Sequence, residues 1–183
     1  MDTRTAEDAD VGTGLPVGSY RIDPPRSTVA FTTRHLFGLA QVQGTFALRT
    51  GQILVARPVE QSSVRAALAT DSFTTGNSRR DDDVRSAKFL DAAAYPDITF
   101  TSDRLQHVGG KWTVSGTLCA HGISRPLDLL VDRAHCSGGE LSLRAQSRID
   151  RYDFGVTGAK GMAARHLGLQ LQVVAHAENP KES

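Results

Sequence analysis

From Tyr20 to Ala175 the chain repeats one pattern, an apolar residue at every second position. That period restricts it to extended strands with one dry face and one wet face. Tyr20 and Ile22 alternate, as do Val29 and Phe31, Phe46 and Leu48, and Val64, Ala66 and Leu68. Ile98 and Phe100 follow, then Trp112, Val114, Gly116 and Leu118, then Leu127, Leu129 and Val131, then Leu141, Leu143 and Ala145. The last run, Leu167, Leu169, Leu171, Val173 and Ala175, sends Gln170, Gln172 and His176 to the opposite face. Buried parallel strands read as continuous apolar runs, so this alternation predicts an antiparallel sheet.

Turn chemistry separates the runs: Asp23-Pro24-Pro25, Val108-Gly109-Gly110, His121-Gly122 and Ser137-Gly138-Gly139. Connections this short join antiparallel neighbours. The exception is Thr74 to Ala94, where Asn77 or Ser78 caps a helix with Asp81, Asp82 and Asp83 in its first turn, so one or two short helices are expected there. About eight strands with one helical interruption must stack as a sandwich or close as a barrel, and periodicity leaves both open.

With 183 residues and 39% hydrophobic side chains, the chain has enough apolar surface for a core without staples. Residues 1–17 and 179–183 are too polar to bury much and read as tails around one domain, 18–178. The 21 basic and 20 acidic side chains balance, so no global field draws the protein to nucleic acid or an anionic membrane. The first residues lack the apolar run of a signal peptide, and no stretch suits stable membrane insertion; a cytoplasmic location is expected. In that reducing setting Cys119 and Cys136 are expected to be free thiols.

Common catalytic signatures are missing. The run Gly155 to Gly161, GVTGAKG, lacks phosphate-loop spacing and reads as a loop between strands. The six histidines show no paired ligand spacing, so no metal or cofactor is expected. The Asp81-Asp82-Asp83 triplet, with Arg79, Arg80 and Arg85 nearby, suits a solvated helix start, with a shielded contact between Arg80 and Asp81 as an intermediate reading.

Several separated segments carry a resemblance. Tyr20-Arg21-Ile22-Asp23, Phe31 with His35, Val42-x-Gly44-x-Phe46, RDDDVRSAKFL from Arg80 to Leu90, YPDITFTS from Tyr95 to Ser102, GTLCAHGISRP from Gly116 to Pro126 and Arg151-x-Asp153-Phe154-Gly155 occur in family order. Together they resemble the YceI-like family of lipocalin-like, isoprenoid-binding proteins. The resemblance implies a single all-β fold, an extended antiparallel lipocalin-like barrel of about eight strands whose interior holds a long isoprenoid chain. Asp83 and Val84 stand where the family pattern R-D-x-H-L has His and Leu, so polar recognition there is altered.

The expected function is therefore non-enzymatic binding or carriage of a polyprenol, an isoprenoid quinone or a similar amphiphile, by a monomer or a homodimer. The expected ligand-binding set is Phe31, His35, Val42, Phe46, Arg80, Asp81, Phe89, Phe100, Trp112 and Leu118. Inward apolar residues line a cavity or fill a core, and periodicity does not separate the two. His35, at the end of the second strand, either meets a ligand head or satisfies nearby backbone. Two alternatives remain: a small-substrate enzyme using His35 with Arg80, Asp81 and Asp83, and an interaction module with a filled barrel.

Overall fold

The computed structural model describes residues 14–35 and 40–178. Ten strands form among them: β1 Gly18–Ile22, β2 Thr28–His35, β3 Ala40–Phe46, β4 Leu48–Val55, β5 Ser63–Ala69, β6 Asp97–Val108, β7 Lys111–Ala120, β8 Ile123–Ser137, β9 Glu140–Asp150 and β10 His166–Ala177. All pair antiparallel in one sheet, in the order β1-β4-β5-β6-β7-β8-β9-β10-β2-β3. A further pairing of β1 with β10 closes β1 and β4 through β10 into an eight-stranded barrel. Of the sandwich and barrel that periodicity allowed, the barrel forms, and closure removes the edges that β1 and β10 would otherwise expose.

The closure depends on a break in one strand. β1 covers Ala175–Ala177 at one end of β10, and β2 covers Gly168–Gln172 further along it. Between them Asp23-Pro24-Pro25 turns the chain out of the ladder, because proline supplies no amide proton. The stranded groups of Val174 are satisfied locally: its N–H donates to Ser27 Oγ at 3.0 Å, and its carbonyl accepts from Asp23 N–H at 2.8 Å. β3, paired to β2, meets Thr74 on its other side through two backbone bonds of 2.9 and 3.0 Å. The segment from Thr70 to Pro96, with the helix α1 Ser78–Arg85, therefore crosses this end of the barrel, next to the β9–β10 connection.

Long strands here are not strictly periodic. The pairing slips at Arg49 in β4, Asp103 in β6 and Asp132 in β8, one residue each time. A bulge reverses which parity faces inward. Leu48 is buried, but beyond Arg49 the buried residues are Ile53 and Val55; Leu129 is buried, but beyond Asp132 it is Ala134. At the tight hairpins Gly109 and Gly110, and Gly138 and Gly139, all have positive φ, as two-residue turns that follow strand twist require.

Candidate ligand-binding lumen

Inward side chains from every strand of the ring enclose an elongated cavity of about 160 Å³. Its wall is aliphatic apart from Phe100, Ser62 and Ser63. Leu169, Leu171 and Val173 on β10, and Leu127, Leu129 and Val131 on β8, contribute successive inward positions, so the cavity follows about 13 Å of strand at about 3.3 Å per residue. No charge stands on this wall, and an ion moved into it would lose its hydration without a partner. The arrangement can hold an apolar group and exclude water.

One end of the lumen is sealed by packed and hydrogen-bonded loops. Phe154 and Val156, from the connection between β9 and β10, are buried against Ile98, Phe100 and Leu118. Arg151, 8% exposed, pins that connection: its guanidinium donates to Val156 O at 2.6 Å, Ala164 O at 2.9 Å and Ala163 O at 3.1 Å. Burial pushes its pKa below the usual arginine value, against the opposing pull of Tyr152 and Asp150. The second seal is the segment bearing α1. Asn77 caps the helix, accepting from Arg80 N–H at 3.1 Å. Asp81, 3% exposed, accepts from Thr75 N–H and Oγ1 and from Thr74 Oγ1. Burial raises its pKa, but these bonds and the Arg85 charge outweigh that and hold it below the ordinary value. Arg80 reaches the same Thr75 hydroxyl at 2.8 Å, so it is joined to Asp81 through Thr75.

The expected binding residues divide accordingly. Phe100 and Leu118 line the cavity. Phe31 and Phe46 form an aromatic cluster with Phe73, ring centroids 5.1 to 5.8 Å apart, and Val42 is buried in β3. Phe89 packs against the core around Phe154. Trp112 is buried with its ring tilted against His107, centroids 4.8 Å apart, and it is not among the residues lining the cavity. Arg80 and Asp81 serve the α1 segment, and Asp83 is exposed with Lys88 at 3.6 Å. His35 pairs with Ala40 through its backbone, and its side chain lies outside the described residues. His121 faces the Phe154 carbonyl at 3.1 Å and Tyr95 edge-on.

Gly116, in phase with Val114 and Leu118, does not open onto the lumen. A Cβ there would come within 2.5 Å of Thr101 O and 2.7 Å of the Phe100 ring, so the glycine makes room for that ring. The expected set leaves out most of the residues that line the cavity, such as Leu129, Leu171 and Val173. Their alternation was the available signal. Phe73 and Leu15, both buried, stand outside any alternating run and offered none. Leu15 falls in the predicted N-terminal tail, yet it is 8% exposed because the open barrel end accepts it.

Among the described residues no group of three or more His, Cys, Asp or Glu converges as a metal site, both cysteines are free, and no helix is long and apolar enough to cross a membrane. Comparison with known proteins places this geometry. Protein YceI of Salmonella arizonae is 29% identical over 170 residues, covering 88% of each chain, and Protein YceI of Salmonella heidelberg matches to the same extent. The crystal structure of Burkholderia cenocepacia BcnA superposes with a TM-score of 0.74 at 22% identity, over 84% of this chain and 98% of that one. A polyisoprenoid binding domain from Saccharophagus degradans superposes with a TM-score of 0.68 at 18% identity, over 89% and 100%. The sequence profile of the YceI-like domain matches residues 20–176, and the chain belongs to that family.

Proposed function

We propose that the protein binds, and by binding carries or sequesters, an amphiphile with a long apolar chain of isoprenoid type, without transforming it. The observation that carries this reading is the aliphatic wall, contributed by all eight strands of the ring and interrupted by Ser62 and Ser63 alone among polar residues. Such a wall offers dispersion and area burial to a hydrocarbon chain, about 0.8 kcal/mol per CH₂ before ordering costs. It offers no partner to a charged head, which stays at the mouth. The polyisoprenoid binding domain of similar fold supports an isoprenoid as the chain.

Arg80 and Asp81 belong to the scaffold in this reading, since Thr74 and Thr75 occupy them. Phe100 and Leu118 contact the ligand, and the Phe31, Phe46 and Phe73 cluster supports the barrel end. The test is native mass spectrometry of freshly purified protein, followed by organic extraction and titration with a farnesyl chain bearing a nitrobenzoxadiazole fluorophore at its head. Saturable binding reversed by unlabelled polyprenol is the expected result. Well-folded protein that binds neither the probe nor any longer isoprenoid refutes the reading.

A further inference from the structure

The two ends of the lumen are closed in different ways. At the α1 end, removing the seal strips a buried guanidinium of three carbonyls and a buried carboxylate of its donors. At the opposite end one side chain, Leu15, stands in the cavity wall between exposed Gly14, Pro16 and Val17. Two bonds from side chains hold this strap: Arg57 Nη2 donates to Leu15 O at 2.8 Å, and Tyr20 Oη donates to Pro16 O at 2.9 Å. Arg57 is exposed, so water can replace its bond at little cost.

Size requires that something yield. A cavity of about 150 Å³ in another protein accommodates benzene. The lumen here, about 160 Å³, thus takes one short apolar group as it stands, and a chain of several isoprene units needs more room. The same end carries the two polar residues of the wall, and Ser62 Oγ accepts from Ala56 N–H at 3.0 Å, leaving its own proton to donate to a ligand head. Val17, two residues after Leu15 on the strap, is exposed.

We propose that the strap at Leu15 and Pro16 is the movable stopper of the lumen: an apolar chain enters and leaves at this end by displacing Leu15, and its polar head comes to rest beside Ser62. The proposal rests on the lipid-binding reading above and adds to it a portal and a residue that limits chain length.

Stopped-flow uptake and release of the nitrobenzoxadiazole-farnesyl probe by the full chain test it. Arg57→Ala removes one tether and leaves the wall intact; the uptake rate should rise about fivefold, the factor for losing one hydrogen bond that must break before the chain enters. Leu15→Ser should accelerate exchange as well and strengthen binding of longer polyprenols, because the stopper no longer competes for the space. Arg151→Met, at the sealed end, should exchange at the parental rate. Parental rates in both strap variants, or acceleration by Arg151→Met alone, overturn the portal while the binding reading stands. A parent that shows no saturable binding removes both together.

Discussion

Ala145 tests whether the lumen is space or packing. It lines the cavity on β9, opposite Leu171 on β10 and Val131 on β8. Ala145→Leu adds three carbon atoms. In a filled core such overpacking costs about 1–3 kcal/mol. In a cavity of about 160 Å³ those atoms leave water instead, worth at most about 2.4 kcal/mol at ~0.8 per CH₂. Gly116→Ala is the comparison: one added carbon meets Thr101 O and the Phe100 ring at 2.5 and 2.7 Å, so it should cost about 1–3 kcal/mol. For a domain of this size about 1 kcal/mol moves Tm by about 2–4 °C. Ala145→Leu should thus melt at or above the parent, by up to about 5–10 °C, while Gly116→Ala melts below it. Ala145→Leu should also weaken binding of the farnesyl probe at least about tenfold, the equivalent of ~1.4 kcal/mol. Thermal melts beside fluorescence titrations read both. If the larger change at Ala145 lowers Tm as much as the smaller one at Gly116, the lumen is filled at its middle and the binding argument fails.

Arg151→Met leaves the buried Val156 carbonyl without a donor and frees two others, a loss of about 2–4 kcal/mol visible in urea melts; unchanged stability would show that the Arg151 bonds contribute nothing net. Asp81→Ala should cost about 2–3 kcal/mol, because Thr74 and Thr75 lose an ionised acceptor, whereas Asp83→Ala should stay within about 0.5 kcal/mol. Equal losses for the two would contradict the division between the carboxylates. Hydrogen bonds from Ser19, Gln52 and Arg21 hold the Glu178 carboxyl at about 2, below its usual 4.5. The fold therefore binds fewer protons there than the open chain, and this contribution is complete above about pH 4.5 and lost as the pH falls towards about 2. Glu178→Gln should flatten the stability profile in that window, and an unchanged profile would refute the linkage.

The alternation from Tyr20 to Ala175 determined strand, pleat face and antiparallel pairing, because side-chain direction in a strand depends only on position along it. Asp23-Pro24-Pro25 and the Gly-Gly pairs likewise determined turns, since proline lacks a donor and positive φ favours glycine. The family motifs pointed to the barrel, but the roles of Arg80 and Asp81 depended on Thr74 and Thr75, which no spacing rule singles out.

Three things were decided only by the tertiary structure. The bulges at Arg49, Asp103 and Asp132 switch which parity points inward, and a bulge is a relation between two strands that neither strand's sequence contains. Whether Ala145 borders space and Gly116 borders the Phe100 ring depends on volumes brought together from neighbouring and facing strands. Leu15, in a stretch whose composition reads as a tail, is buried because closing the ring leaves an apolar opening at one end that a nearby leucine can fill. Periodicity is local and survives in the sequence; cavity shape is a sum over distant residues and exists only after the barrel closes.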